Sequence, residues 1–134
     1  MKKTIFVLLI LATVIACLCL CGCTPYNSSF KAKIFVHSNT NKSAAMSYTS
    51  FEGTYVFKMK TDKEKSEVLE YSGHTDMGDV TVYYDCDGSK NELFSLHAGD
   101  TLTGSVDLPT GAVVYVIVET DGAASDGSFT FAIR

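Results

Sequence analysis

The chain has 134 residues, 46% of them apolar, and its 15 acidic side chains outweigh 11 basic ones for a net charge of −4. That length holds one domain, and the acidic balance excludes nucleic acid as a partner, because phosphate binding needs a basic surface.

Met1-Lys2-Lys3 supplies a positive start, Ile5 to Leu20 is an almost unbroken apolar run, and Gly22 is a small residue just before the composition turns polar. This is the build of a secretory signal peptide. The apolar run is shorter than the roughly 18 to 20 residues of a spanning helix, which leaves an uncleaved single-span anchor as the alternative. Cys17, Cys19, Cys21 and Cys23 alternate through this segment, unlike the C-x-x-C pairs of a zinc site. Disulfides among them would mostly leave with the leader.

Leu20-Cys21-Gly22-Cys23 resembles the lipobox of bacterial lipoproteins, with an aliphatic residue three before a cysteine and a small residue directly before it. The resemblance implies that the Cys23 thiol receives a diacylglyceryl group and that the leader is cut just before it, with Leu20 and Gly22 flanking the cut. It places the mature protein outside the cytoplasm, anchored to the bacterial cell membrane by two acyl chains where one alone binds only marginally. Val14-Ile15-Ala16-Cys17 fits the same pattern, and Cys17 is the alternative. Cys23 is preferred because polar Thr24 to Ser29 follows it as a tether, whereas Cys17 would leave apolar Leu18 to Cys23 exposed. The expected organisation is residues 1–22 as signal peptide, 23–29 as lipidated tether and 30–134 as a β-sandwich domain.

Once the leader is removed, Cys86 is the only free thiol, so the fold must stand on its apolar core, which a chain of this size can supply. Without Lys2 and Lys3, nine bases face fifteen acids. The charge is uneven: Thr24 to Lys65 carries +4 and Ser66 to Arg134 carries −10.

Beyond the tether, apolar residues recur at period two, and Gly, Asp, Asn or Pro interrupts them at short intervals. This predicts an all-β antiparallel sandwich, jelly-roll or immunoglobulin-like, of eight or nine strands. The strands read as Phe30 to His37, Ala44 to Phe51, Thr54 to Lys60, Val80 to Cys86, Asn91 to His97, Thr101 to Leu108, Val113 to Val118 and Ser128 to Arg134. Ser66 to Ser72 is either a ninth strand or part of a short helix opened by a Thr61-x-x-Glu64 capping box and running through Leu69. Leu102, Val106 and Leu108 face one way and Thr101, Thr103, Ser105 and Asp107 the other. Val113 to Val118 is apolar on both faces, which predicts a central strand covered on both sides.

Gly78 to Asp85, Gly111 to Glu119 and Gly127 to Ile133 resemble the later strands of bacterial pre-peptidase C-terminal domains, small jelly-roll-like sandwiches appended to secreted proteases and other exported proteins. The resemblance covers residues 78–133 and implies an extracytoplasmic binding or spacer module. No catalytic domain accompanies it in this chain.

No G-x-S-x-G, H-E-x-x-H, P-loop or G-x-G-x-x-G pattern occurs. Cys86 with His74 or His97 has the residue types of a nucleophile and base. Alternation, however, sets Cys86 with Val80, Val82 and Tyr84 on the face expected to be buried, where a free cysteine acts as a small hydrophobe. His37, His74 and His97 border loops and are expected at the surface. Asn27-Ser28-Ser29 and Asn41-Lys42-Ser43 match the glycosylation sequon, which is irrelevant behind a bacterial leader. Asp85-Cys86-Asp87-Gly88 lacks the third ligand and the distal Glu of a calcium loop and reads as an Asp-Gly turn. With no Trp, a sugar platform would fall to Tyr48, Tyr55, Tyr71, Tyr83 or Tyr84, most of which are expected in the core or in cross-strand pairs.

Reversing direction at each strand gathers Asp76, Asp79, Asp100, Asp121 and Asp126 at one end, on loops where Asp and Gly make good turns in their own right and where calcium is the one possible cofactor. The same parity puts the Lys58 to Lys65 turn at the opposite end and the N-terminal tether on the acidic side. The functional expectation is a non-enzymatic, lipid-anchored binding or envelope-associated module with an unknown glycan or protein partner. The alternative is an accessory or inhibitory protein docking onto a neighbouring enzyme or transporter, which an exposed apolar patch would favour.

Overall fold

The computed structural model describes residues 25–134. The leader, with Cys17, Leu20 and Gly22, and Cys23 itself lie outside the described residues. Seven antiparallel strands follow: β1 (Ser29–Lys33), β2 (Val36–Asn39), β3 (Ser43–Lys60), β4 (Glu67–Asp85), β5 (Asn91–Leu96), β6 (Thr101–Leu108) and β7 (Val113–Ile133). The path is β1-β3-β7-β4-β5, with β2 also on β3 and β6 also on β4. The expected all-β antiparallel fold is the observed one.

The strand count falls to seven because three predicted breaks are bends. β3, β4 and β7 run 18, 19 and 21 residues, well beyond the usual strand of about 3 to 10. Ala44 to Phe51 and Thr54 to Lys60 are one strand, as are Ser66 to Ser72 with Val80 to Cys86, and Val113 to Val118 with Ser128 to Arg134. At the bend Glu52 pairs Ala123 and Thr54 pairs Glu119, while Met77 pairs Ser125 and Asp79 pairs Asp121. Two steps along β3 or β4 thus match four along β7, a bulge that kinks the strand without ending its pairing. Gly53 (φ 125°) and Gly78 (φ 90°) occupy backbone conformations that a side chain resists. Gly73 to Asp79 and Asp121 to Gly127, expected as loops, are therefore strand.

The bend also switches which residues face inward. β4 buries Leu69 before it and Val80 and Val82 after it; β7 buries Val114, Val116 and Val118, then Phe129, Phe131 and Ile133. β3 does likewise, with Ala44, Met46 and Tyr48 followed by Phe57 and Met59. The switch keeps both halves facing one core as the sheet folds over, making a first layer β2-β3-β7-β4-β6 and a second layer β3-β7-β4-β5, with β1 paired to β3 across the bend. Phe51, Phe57, Phe129 and Phe131 are fully buried in that core, each contributing about 1.5–3 kcal/mol.

The expected Phe30 to His37 strand is split between β1 and β2 by Ile34, at φ 48°, an outlier for a β-branched residue. The helix alternative at Thr61 to Leu69 gives way to a turn. The Thr61 hydroxyl donates to the Pro109 carbonyl (2.8 Å) and accepts from the Ala112 amide (2.7 Å), tying two connections together, and β4 begins at Glu67.

Candidate functional site

The outer face of the first layer is built from short polar side chains in register. Val36, Ser47, Ser128, His74 and Thr101 form one row across five strands; Ser38, Ala45, Thr130, Ser72 and Thr103 the next; Ser43, Ala132, Glu70 and Ser105 a third. The Ser72 and Thr130 hydroxyls bond each other at 2.5 Å, and Arg134 Nε donates to Glu70 at 2.8 Å. A shallow hollow of about 660 Å³ opens over the second and third rows. Period two aims these residues outward because their neighbours Met46, Phe129 and Phe131 are held by the core. Thr101, Thr103 and Ser105 were legible as an outward set; their alignment with Ser72 and Thr130 depends on register.

The outer face of the second layer is covered in part. Its rows are Lys58, Tyr115 and Asp85, then Val56, Ile117, Tyr83 and Glu92. Pro25 to Ser28, expected as tether, lies across it. The Ser28 hydroxyl accepts from the Val56 amide at 2.9 Å, the Tyr26 and Tyr115 rings sit 5.6 Å apart, and the Tyr26 hydroxyl donates to Asp85 at 2.6 Å. Sequence reading missed this strap, since Tyr26 carries no signal beyond being one aromatic in a polar stretch. Ile117, pointing outward, is only 1% exposed, whereas Val113 is 38% exposed, so the strand expected to be covered on both faces is covered at Ile117 and open at its first residue. The bond to Asp85, reinforced by burial and by the carboxylate charge, pushes the Tyr26 phenol up to about 12. Burial disfavours the Asp85 anion, but hydrogen bonds from Tyr26 and from the Gly88 and Asp87 amides outweigh it and hold the carboxyl below its ordinary 3.8.

Asp76 and Asp79 lie in β4 and Asp121 and Asp126 in β7, in strand rather than on the loops expected, with Asp100 on the turn between β5 and β6, and the Lys58 to Lys65 turn lies at the end of β3 away from the bend. Asp79 stands directly opposite Asp121, a repulsive pairing. His97 Nδ1 meets Asp79 at 2.8 Å, His74 Nε2 meets Asp76 at 2.6 Å, and the Asp100 carboxylate accepts from the His97 amide at 2.8 Å. The hydrogen bond to Asp79, its charge and that of Asp100 raise the His97 pKa above its ordinary 6.5. Among the described residues no three His, Cys, Asp or Glu side chains are grouped to hold a metal ion; these carboxylates are spread among histidines and amides. Tyr26 docks beside Asp85 and the Pro109 to Val113 segment, so the strap lies at the lysine end, away from the acidic bend where it was expected.

Cys86 is half-buried against the core rather than fully buried, because β4 ends at Asp85. Burial, then Asp87 and Asp85, push its thiol pKa up. His97 and Asp79 lie at the far end of the second half of β4, about 20 Å away at strand spacing. Cys86 and His97 therefore make no nucleophile-base pair. Tyr48 is buried and bonds Thr75 (3.2 Å), and Tyr71 stacks on Phe94, so neither forms a platform.

An apolar edge that sequence reading did not find runs along β1 and β2. Phe30 is 39%, Ile34 77% and Val36 64% exposed. Phe30 and Phe35 are backed by Phe51 and Tyr55 at ring distances of 5.2 to 5.9 Å.

No family model and no curated protein matches the sequence. Among solved structures, the chain is similar to the pre-peptidase C-terminal domain of collagenase from Bacillus anthracis, at 12% identity and a TM-score of 0.47 over 72% of this chain and 91% of that one. It is similar to a family 29 carbohydrate-binding module at 13% identity and a TM-score of 0.40, covering 82% and 77% of the two chains. A cupin domain from Bordetella pertussis is matched at 11% identity and a TM-score of 0.37, covering 84% and 99%. Likeness at this level concerns the all-β architecture alone.

Proposed function

We propose that this chain is a non-enzymatic binding module, held outside the bacterial cytoplasm by a diacylglyceryl group on Cys23, that takes a polyhydroxylated ligand of the glycan class on the open face of its first layer. The observation that carries the reading is the set of hydroxyl rows. Ser and Thr hydroxyls both donate and accept, so Ser47, Ser72, Thr103, Thr130 and Ser105 match ligand hydroxyls in either role. Their short side chains lose little rotamer freedom on binding. A shallow face without an aromatic platform gives weak binding, about millimolar, or near −4 kcal/mol.

The experiment is an NMR titration of residues 24–134 with soluble N-acetylglucosamine oligosaccharides, a β-glucan and a mannan. Shift changes confined to Ser47, Ser72, Thr103 and Thr130, and lost in Thr130→Val, support the reading. Unchanged spectra with all three ligands refute it. Intact mass of membrane-extracted protein tests the anchor separately: an unmodified Met1 terminus, or unchanged membrane retention in Cys23→Ser, refutes it.

The exposed Phe30, Ile34 and Val36 edge favours a second reading, an accessory protein docking onto an envelope enzyme or transporter. In-cell crosslinking from position 34 to a single partner protein would favour it over the glycan reading.

A further inference from the structure

We infer that the Pro25 to Ser28 strap fixes how the domain stands on its membrane, with the outer face of the second layer against the headgroups and the hydroxyl face of the first layer turned away from them. The inference rests on lipidation of Cys23, as proposed above. Cys23 is three residues before Tyr26, so the chain between them spans at most about 11 Å from Cα to Cα.

Tyr26 is held at both ends of its side chain, by the Tyr115 ring at 5.6 Å and by Asp85 at 2.6 Å. Ser28 fixes the next turn of chain on the Val56 amide. A free tether would let the domain tip; a strap pinned on β3, β7 and β4 leaves two residues of slack. The face it crosses suits an interface. Tyr26, Tyr83 and Tyr115 each combine an apolar ring with a polar tip, the side-chain type enriched at headgroup level. Lys58 and Lys60 are exposed at the same end, where anionic headgroups attract cations, and the exposed Glu92 lies across the face on β5. Lys90 lies over the Tyr83 ring at 4.3 Å and pairs with Glu119 at 2.7 Å, so it adds shape rather than free charge. The acidic bend lies at the far end of the layer.

The test uses the full lipidated chain in its own membranes, in a Cys86→Ala background, with one reporter cysteine at a time and a bulky maleimide. Thr81→Cys reports the second layer and Thr103→Cys the first. Thr81→Cys should react severalfold more slowly on membranes than after detergent release, and Thr103→Cys at the same rate in both. Equal ratios for the two reporters, or protection of Thr103→Cys, overturn the orientation. Tyr26→Ser combined with a flexible Gly/Ser insertion between Thr24 and Pro25 should abolish the protection while the protein stays in the membrane fraction. Protection that persists there overturns the strap as its cause. Rates in detergent confirm that each variant is folded, and loss from the membrane fraction marks failure of the anchor reading instead.

Discussion

The two outer faces of this sandwich share a core and the same three long strands, yet one is open and hydroxylated and the other is strapped over by the chain's own N-terminal segment. β7 carries both characters. Its first half is apolar on both sides, and the outward Ile117 is 1% exposed. Its second half alternates Phe129, Phe131 and Ile133 with Ser128, Thr130 and Ala132, and its outward side faces solvent. A stretch that is apolar at every position calls for a cover, and a stretch alternating large apolar with small polar residues leaves a face open to a ligand. The asymmetry sets which side the protein presents.

The largest expected effect comes from the bend that makes two faces of one sheet. In Gly78→Val a side chain must enter at φ 90°, and its Cβ would stand 2.6 Å from the Ala123 carbonyl oxygen and 2.7 Å from Ala124 Cα. A loss of about 3 kcal/mol or more follows from strain and overpacking together. Urea unfolding should show both faces lost in one transition; if the first layer survives alone, the faces are not one cooperative unit.

Tyr26→Phe should separate the faces. Losing the bond to Asp85 costs about 1 kcal/mol at this partly exposed position. Amide exchange should quicken in Val113–Val118 and stay unchanged in Ser128–Ile133. The phenol ionising near 12 should vanish from the ultraviolet titration. Because the Asp85 pKa is depressed in the fold, this stabilisation is present above the ordinary carboxylate value of 3.8 and is lost as pH falls through the folded one.

His97→Asn probes the acidic bend and should have a smaller effect that depends on pH. The His97 pKa is raised in the fold, so its contribution is fully present below its ordinary 6.5 and disappears as pH rises through the folded value. The melting temperatures of variant and parent should therefore differ most at acid pH and converge in mildly alkaline buffer. A constant difference across that range would mean that the Asp79 contact is not ionic.

Thr130→Val on the open face should move stability least, within about 0.5 kcal/mol, while abolishing glycan-induced shifts. A loss well above that would make the hydroxyl rows part of the scaffold rather than a ligand surface.

The sequence was legible where alternation was clean. Thr101 to Leu108 was read with the right faces, and Asn91 to His97 was read as a strand one residue longer than β5. Bends were read as loops because Gly53, Gly78 and Gly122 carry the same local signal whether the neighbouring strand continues or not; only pairing with β7 decides. The strap was hidden for a related reason. Tyr26 docks on Tyr115 and Asp85, both far along the chain, and no local pattern encodes that. Ile34 read as one more strand residue, since its left-handed backbone is imposed by the turn between β1 and β2.

The place of β7 has a consequence for assembly. It is the last strand of the chain, yet it sits in the centre of the path, between β3 and β4, pairing with both along nearly their whole lengths. Until it arrives, β3 and β4 have no common neighbour, and Tyr48, Phe57 and Phe94 lack the Phe129 and Phe131 rings that they pack on. A chain appearing from its N-terminus therefore stays loose until β7 emerges, and then closes by contacts distant in sequence, the slow kind. A polypeptide built this way stays threadable until β7 is free to pair.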